Sequence, residues 1–145
     1  MRAIVQRVKE TSLSVDNKLV SQIPFGLTVF LGVQVGDTQK QADYIAKKIA
    51  GLRIFEDEMG KMNLSAGQVG GEVLMVSQFT LYGDCSHGNR PSFTMAEKPE
   101  LAEPLYEYTV EKLKEYGIVV KKGVFGADMQ IKQHNDGPVT ILLEA

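Results

Sequence analysis

A short polar segment follows an apolar run in the middle of the chain. Residues 73–76 (Val-Leu-Met-Val) are typical of a buried strand, and Ser77-Gln78-Phe79-Thr80 comes directly after them. At the end of a strand, backbone N–H groups leave the hydrogen-bonded ladder, and sites are often built there. The same pattern also fits a fraying strand whose Ser and Thr hydroxyls bond to the local backbone. The segment is therefore a candidate site, but its pattern alone does not identify one.

A second segment of this kind precedes the last apolar run. Asn135-Asp136-Gly137-Pro138-Val139-Thr140 places a flexible glycine before a proline at the mouth of a predicted strand. Taken alone, this composition predicts an ordinary turn.

Other familiar chemistries find little support. The chain has no GxGxxG, HExxH or GxSxG motif. Cys85 and His87 are two residues apart, and on an extended segment such neighbours point to opposite faces, so they do not form a nucleophile and base. His134 and Asp136 have the same spacing. With one cysteine and two histidines in the chain, we expect no protein-only transition-metal site and no cofactor.

Strands dominate the elements that must position these segments. Asp16-Asn17-Lys18 is predicted to be a three-residue hairpin loop, and the Gly-, Asp-, Asn- and Ser-rich residues 56–71 a long connection. The segment 82–90 also reads as a loop. The predicted strands are residues 3–8, 13–15, 19–23, 27–33, 73–76, 118–120, 129–132 and 139–143.

Two helices are predicted. Thr38 and Gln41 form a capping box before the first helix, which should end near Gly51. The second should begin near Pro99 and stop at Gly117, although Pro104 leaves its start open. The expected apolar faces are Ala42, Ile45, Ala46 and Ile49 in the first helix, and Leu105, Thr109, Leu113 and Tyr116 in the second. This β-rich α+β pattern predicts helices on one face of a sheet.

Composition limits the class of protein. The 145 residues, 43% of them hydrophobic, suit a single domain over residues 1–145. A net charge of -2 excludes bulk electrostatic binding to nucleic acid, so any such contact must be local. The lone cysteine excludes a disulfide framework, and no apolar run approaches a membrane span. We therefore expect a cytoplasmic protein with no membrane or DNA partner.

Together the two polar segments resemble the D-aminoacyl-tRNA deacylases, once called D-tyrosyl-tRNA deacylases. The opening residues 1–8 (Met-Arg-Ala-Ile-Val-Gln-Arg-Val) and the intervening Gly88-Asn89-Arg90-Pro91-Ser92-Phe93 strengthen the resemblance, which covers essentially the whole chain. It implies that family's fold, a barrel-like sheet covered by two main helices.

The resemblance also implies the activity. Family members are homodimers that hydrolyse the ester joining a D-amino acid, or mischarged glycine, to the terminal adenosine of tRNA. Residues similar to Ser77, Gln78, Phe79 and Thr80 line the pocket. Gly137-Pro138, in a cis peptide followed by Val139-Thr140, would reach across from the partner subunit and select handedness. Arg7 would brace that loop, and Met129 is matched to a further substrate-binding position.

The implied chemistry is physically reasonable. An aminoacyl ester is already activated, so an enzyme needs mainly to orient water and stabilise the oxyanion, for which N–H groups around Phe79 and Thr80 would serve. No base for Thr80 is visible in the sequence, which favours attack by water assisted by the 2′-hydroxyl of the terminal adenosine. A site that accepts many side chains must read the chiral centre with backbone, and glycine would escape such a filter.

Two other functional classes remain open. A non-catalytic RNA-binding module would need basic and aromatic clustering on one face, whereas the lysines are dispersed. A proofreading domain for an L-amino acid, of the kind found in some archaeal threonyl-tRNA synthetases, would be fused to a synthetase.

Acidic residues form a helical stripe that should repel phosphate, so tRNA is expected to dock near Lys121-Lys122 or Lys132 instead. The stripe comprises Glu103, Glu107, Glu111 and Glu115, extended by Glu97 and Glu100.

Overall fold

A mixed β-sheet, nearly closed into a barrel, forms the centre of the molecule. The structure is a computed structural model that describes residues 1–145. Its strands are β1 (Arg2–Val15), β2 (Lys18–Ile23), β3 (Gly26–Gly32), β4 (Phe55–Glu56), β5 (Met62–Leu64), β6 (Glu72–Ser77), β7 (Val120–Lys122) and β8 (Gln130–Glu144). The α-helices are α1 (Gln39–Gly51), α2 (Ala66–Val69) and α3 (Pro99–Glu115), and residues Phe79–Tyr82 form a 3-10 helix.

The barrel is held together by one long strand and by side-chain contacts at its seam. The strand order is β2-β1-β3-β6-β7, with β8 also paired to β1; β3, β6 and β7 are parallel, and the other pairs antiparallel. At the seam between β2 and β7, the Ser21 hydroxyl donates to the Lys122 carbonyl at 2.6 Å, and Lys121 Nζ donates to the Gln22 carbonyl at 2.7 Å. The predicted α+β class, a barrel-like sheet covered by two main helices, is confirmed.

Apolar side chains cover both faces of β3 and β6, which explains their uniformly apolar sequences. Leu27, Val29 and Leu31 of β3 face the core shared with α1 and α3. Leu74 and Val76 of β6 face the barrel interior. There the buried hydroxyls of Thr11 and Thr28 lie 2.7 Å apart and satisfy each other by a hydrogen bond. The central strands are therefore held from two sides, and the end of β6 is fixed in place.

The first hairpin is tighter than its sequence predicts. The turn contains two residues, Asp16 and Asn17, rather than three, because Lys18 already pairs with Val15. Both turn residues have positive φ, +49° and +61°. Two consecutive positive φ angles define the tight hairpin turn whose twist matches that of the flanking strands, and Asp and Asn tolerate this conformation.

The connection predicted over residues 56–71 is more ordered than expected. It contains β5, α2 and the end of β4. The Asp57 carboxylate accepts the N–H groups of Met59 and Lys61 and the Asn63 amide, and these bonds hold its pKa below the ordinary value, with the Lys61 bond the largest cause. Ser65 and Gln68 form a capping box for α2. Local side-chain bonds, rather than apolar periodicity, order this stretch.

The two long helices agree with prediction in most respects. The Thr38–Gln41 capping box is present, and the four predicted apolar residues of α1 are buried. Helix α3 begins at Pro99 and continues through Pro104. Tyr116 was wrongly expected on the buried face; it lies just beyond α3 and is 52% exposed. None of the helices has the length and hydropathy that crossing a membrane requires.

The strands near the C-terminus differ from prediction. Strand β7 begins at Val120, two residues later than expected. The two separate strands predicted over residues 129–132 and 139–143 are one strand, β8, because both halves pair with β1. Asn135-Asp136-Gly137-Pro138-Val139-Thr140 is thus an irregularity inside β8 and not a turn before it. The register shift between Gln6 and Val8 of β1 accommodates the additional residues of β8, and a second shift follows between Val8 and Glu10.

Two buried tyrosines make the stability of the fold depend on pH at the alkaline end. Burial, and secondarily the Asp37 carboxylate, raises the pKa of Tyr82 to about 12, and burial raises the pKa of Tyr106 further. Above pH 10 the unfolded chain loses these phenolic protons while the folded chain keeps them, so the free energy of unfolding falls as the pH rises. We expect a slope of up to about 1.4 kcal/mol per pH unit for each tyrosine, measured by urea unfolding between pH 8 and pH 12. Tyr106→Phe should reduce the slope and Tyr44→Phe, at an exposed position, should not; equal slopes for all three proteins would contradict the prediction.

Candidate functional site

The first polar segment leaves the sheet at the end of β6. Ser77 is the last residue of the strand, and the Gln78 N–H still donates to the Leu31 carbonyl at 2.8 Å. The chain then turns into the 3-10 helix, whose first residues, Phe79 and Thr80, have no N–H partner inside that helix. The Gln78 side-chain amide donates to the Thr80 hydroxyl oxygen. The predicted strand end is therefore present, with its polar groups held in order by local bonds.

Contacts on both sides support this segment. Arg2 Nη1 donates to the Leu81 carbonyl at 2.7 Å, and its guanidinium lies 4.9 Å from the centre of the Tyr82 ring. The rings of Phe79 and Phe93 meet edge to face, with centroids 5.0 Å apart. Phe79 nevertheless remains 57% exposed. The segment is fixed at its base and open to solvent at its tip.

A mainly apolar cleft of about 560 Å³ opens beside the segment. Ser77, Gln78 and Phe79 line it together with Met129, so four of the residues singled out from the sequence meet here. Tyr106 forms part of its buried wall, where the phenol donates to the Met75 carbonyl at 2.9 Å. This volume falls in the usual range for small-molecule sites, which are apolar with a few polar groups. Thr80 is adjacent in sequence but does not line the cleft.

Two other depressions lack this character. One, between β2 and β7, holds Lys114, Lys121 and Lys122 and is more open to solvent. The other is lined by no hydrophobic residue and includes Glu10, Lys132 and His134. The cleft at the end of β6 is therefore the candidate site, since of these three depressions it combines apolar walls with a strand end.

The second polar segment lies on the surface of β8. Gly137 and Pro138 are exposed, and the peptide bond between them is cis. Val139 is half-buried and packs against the core beneath the helices. The Thr140 hydroxyl accepts from the Gln6 side-chain amide at 3.2 Å. The loop is thus anchored at its C-terminal end and presents its glycine and proline outward.

Side-chain amides link the two ends of this loop. The Gln133 amide donates to Gln6 Oε1 at 2.7 Å, and it also donates to the Asn135 side-chain oxygen. A continuous chain of hydrogen bonds therefore runs from Asn135 through Gln133 and Gln6 to Thr140. These side-chain hydrogen bonds connect the two ends of the segment that contains the exposed Gly137-Pro138 backbone.

Arg7 lies beneath the same loop. Its side chain is buried, and its Nη1 donates to the Ile54 carbonyl at 2.6 Å. Nε lies 3.3 Å from the Asp136 carbonyl oxygen and 3.1 Å from Asp136 Oδ2. Arg7 therefore contacts the residue immediately before Gly137, as the proposed bracing role requires.

The two polar segments lie apart within one chain. Gly137 of β8 lies beside Arg7 of β1, and Arg7 pairs with Leu27 of β3. Ser77 of β6 pairs with Leu31, which is four residues further along β3. Three strand spacings and four residues of rise give a separation of roughly 15–20 Å. A single chain therefore does not bring Gly137-Pro138 to the cleft.

Two of the three lysines expected to receive tRNA are paired with carboxylates. Lys121 Nζ lies 2.8 Å from Glu72, and Lys122 Nζ lies 2.6 Å from Glu107. Glu107 belongs to the predicted acidic stripe, which further ion pairs with Lys112 and Lys114 also compensate. Lys132 has no carboxylate within 4 Å and is the remaining candidate of the three.

Several residues of the cleft were not identified from the sequence. Phe93 ends the segment Gly88-Asn89-Arg90-Pro91-Ser92-Phe93, but its residue type alone does not indicate that it packs on Phe79. Tyr106 appears in sequence as one more apolar residue of α3, and Phe125 has no distinguishing pattern. They reach the cleft through the packing of distant segments. As for metal binding, no group of three or more His, Cys, Asp or Glu side chains is arranged to hold an ion.

Comparison with known proteins identifies the class of this fold and site. The family model described as D-Tyr-tRNA(Tyr) deacylase matches residues 4–144. D-aminoacyl-tRNA deacylases of Bacillus thuringiensis (strain Al Hakam) and Bacillus anthracis (strain CDC 684 / NRRL 3495) are each 54% identical over 145 residues, covering 100% of this chain and 99% of the relative. These relatives are hydrolases that remove an acyl group from tRNA, and the present protein is an enzyme of that class.

Solved structures agree with this result. The c-Myc DNA Unwinding Element Binding Protein superimposes with a TM-score of 0.93 at 43% identity, covering 100% of this chain and 99% of its own. A structure described as that of "a probable eukaryotic D-amino acid tRNA deacylase" has a TM-score of 0.84 at 16% identity, covering 98% and 97% of the two chains, and shares the fold. The chain belongs to the D-Tyr-tRNA(Tyr) deacylase family.

Proposed function

We propose that this protein hydrolyses the ester bond of D-aminoacyl-tRNA, releases free tRNA and the D-amino acid, and rejects L-aminoacyl-tRNA. The observation that carries the proposal is the meeting of Ser77, Gln78, Phe79 and Met129 at one cleft of about 560 Å³. This cleft has the size and apolar character suited to the end of an aminoacyl-tRNA, which consists of an adenosine and one amino acid. We also place the protein in the cytoplasm, where aminoacyl-tRNA is used.

The strand end suits the chemistry of ester hydrolysis. As the ester carbonyl is attacked, charge develops on its oxygen, and backbone N–H groups around Phe79 and Thr80 are the donors proposed to stabilise it. Three ionisable groups line the cleft: Tyr106 donates to the Met75 carbonyl, Glu97 accepts the N–H groups of Gly36 and Lys98, and the Asp128 carboxylate has no hydrogen-bond partner in the chain. The enzyme's contribution is then orientation and charge stabilisation, and the attacking group is water.

Selection by handedness is assigned to Gly137-Pro138. The exposed backbone of this pair offers carbonyl acceptors for the α-ammonium of the substrate, and Pro138 offers a wall that excludes an L-side chain. Such a filter reads the chiral centre without reading the side chain, so many D-amino acids are accepted. Glycine has no side chain to exclude, and glycyl-tRNA is therefore expected to be hydrolysed as well.

A homodimer follows from combining these two assignments. The cleft and the Gly137-Pro138 loop lie roughly 15–20 Å apart in one chain by strand geometry. A two-fold partner can supply its own loop to the cleft, and in such an arrangement each chain serves the other equally. The proposed active unit thus contains two sites, each made from both subunits.

The direct test is hydrolysis of matched tyrosyl-tRNAs. Purified protein should release D-tyrosine from D-tyrosyl-tRNA much faster than it releases L-tyrosine from L-tyrosyl-tRNA, with labelled tyrosine followed after acid precipitation. Equal rates would contradict the chiral filter. Preferential loss of the L-ester would support an L-specific editing enzyme, and binding without hydrolysis would support an RNA-binding module.

Complementation between two inactive variants tests the shared site. Gly137→Ala alters the loop, whereas Ala127→Trp fills the cleft that Ala127 lines. When the two chains are co-expressed and pair at random, half of the dimers are mixed, and each mixed dimer has one intact site. Activity should return to roughly one quarter of the wild-type level. If loop and cleft of the same chain formed the site, mixing would restore nothing.

A further inference from the structure

Arg7 is a buried cation that contacts the residue at the base of the Gly137-Pro138 loop. The residue is 6% exposed. A guanidinium removed from water needs hydrogen-bond acceptors and an opposite charge, and without them its burial is strongly unfavourable. The Ile54 carbonyl provides one acceptor at 2.6 Å, and Asp136 provides the remaining ones.

Asp136 contacts Arg7 in two ways. Its carbonyl oxygen lies 3.3 Å from Arg7 Nε, and its carboxylate oxygen Oδ2 lies 3.1 Å from the same nitrogen. No other carboxylate lies within 4 Å of Arg7. The two oxygens belong to the residue that immediately precedes Gly137, so a displacement of the guanidinium would be transmitted directly to the loop.

We propose that Asp136 is a positioning residue for the reaction, which acts by holding the Arg7 guanidinium and thereby fixing the Gly137-Pro138 backbone. This inference rests on the proposed function of that loop in selecting the D-ester. Charge-assisted hydrogen bonds are stronger than neutral ones. The Ile54 carbonyl holds one end of the guanidinium and Asp136 holds the other, which leaves Arg7 little freedom to rotate.

The position of Gly137 shows why small displacements matter. Its φ is +120°, and a Cβ there would lie 2.9 Å from Val139 Cγ2 and 3.4 Å from Arg7 Nη2. The loop therefore fits closely around the guanidinium. In a site that discriminates by shape, a shift of about 1 Å in a group that orients the substrate can cost about 100-fold in rate. Asp136 does not itself need to touch the substrate to have this effect.

The experiment compares Asp136→Ala, Asp136→Asn and Asp136→Glu with the wild type and with Asp16→Asn, which removes an equal charge from the exposed β1–β2 turn. The readouts are kcat and KM for D-tyrosyl-tRNA and the ratio of D- to L-ester hydrolysis. We expect Asp136→Ala to lower kcat/KM about 10- to 100-fold and to reduce the D/L ratio. Asp136→Asn should lose less than Asp136→Ala because its side-chain amide oxygen can still accept from Arg7 Nε, although without the charge. Asp136→Glu should recover part of the loss, and Asp16→Asn should match the wild type. Wild-type kcat/KM and D/L ratio in Asp136→Ala would overturn the proposal.

A double-mutant cycle tests whether Asp136 acts through Arg7. Lysine cannot reproduce the separated contacts of the guanidinium, so Arg7→Lys should impair the loop by itself. In the Arg7→Lys background, Asp136→Asn should then add little. Independent, multiplicative losses from the two substitutions would show that Asp136 acts by another route and would overturn the proposal.

Amide hydrogen exchange separates this inference from the proposed function. In Asp136→Ala, residues 135–140 should exchange faster than in the wild type while the rest of β8 is unchanged. This measurement needs no substrate, so it applies even if the wild-type protein hydrolyses neither tyrosyl ester. Unchanged exchange in this segment would overturn the positioning role, whereas an inactive wild type with faster exchange in the variant would refute only the proposed function.

Discussion

Replacing Gly137 with alanine is expected to lower kcat/KM for D-tyrosyl-tRNA by about 100-fold or more. The new Cβ would lie 2.9 Å from Val139 Cγ2 and 3.0 Å from Val139 N, on a residue whose φ is +120°. L-residues rarely adopt this conformation, so the loop must change its backbone course. The kinetic measurement uses matched D- and L-tyrosyl-tRNA, and the D/L ratio should fall together with the rate.

Gly117→Ala is the control for a general effect on stability. Gly117 follows α3 with φ +77°, and a Cβ there would meet nothing within 4 Å. Forcing a non-glycine residue into the left-handed region costs about 1–2 kcal/mol. Gly117→Ala should therefore lower the melting temperature but leave kcat/KM near the wild-type value. If Gly137→Ala retained wild-type kcat/KM and D/L ratio, the proposed role of the loop would be wrong.

A substrate whose tRNA ends in 2′-deoxyadenosine should react about 10²–10⁴-fold more slowly than the natural substrate, the usual contribution of a positioned proton-transfer group. The physical reason is that no side chain of the enzyme is placed to take a proton from the Thr80 hydroxyl and make it a nucleophile. The Thr80 hydroxyl oxygen accepts from the Gln78 amide, and no ionisable side chain is hydrogen-bonded to it. The vicinal 2′-hydroxyl of the terminal adenosine is then the group that assists the attacking water. Single-turnover rates with the two substrates measure the effect.

The Thr80→Ala variant provides the corresponding test on the protein. We expect it to lose about 10-fold or less, because Thr80 supplies orientation and its backbone N–H remains, whereas loss of a true nucleophile costs on the order of 10⁴–10⁶. A second variant, Asp128→Asn, tests whether the Asp128 carboxylate, which lines the cleft and has no hydrogen-bond partner, acts as a general base. A trapped acyl-Thr80 ester would contradict the water mechanism. A loss of 10²-fold or more in Asp128→Asn, with full activity on the 2′-deoxy substrate, would instead assign the general base to Asp128.

The sequence by itself determined those helices and strands whose formation depends on residues close together in the chain. The apolar residues at i, i+3, i+4 and i+7 and the capping box define α1, because helix periodicity and N-terminal hydrogen bonds involve residues only three or four apart. The uniformly apolar runs of β3 and β6 indicate burial on both faces, and both strands are covered on both sides. The strand-end position of Ser77 followed from the same reasoning. These features need no knowledge of the partner segment.

Only the tertiary structure decided how distant segments meet. The two halves of β8 form one strand because both pair with β1 more than 100 residues away, a fact that no local pattern carries. Asp136 reaches Arg7 through the pairing of β8 with β1, and Met129, just before β8, reaches the same cleft as Ser77. Likewise, Lys121 and Lys122 appear in sequence as free positive charges but are paired with carboxylates of other elements. Local sequence encodes the hydrogen bonds and periodicity of an element, whereas the partners of its side chains depend on how the whole chain packs.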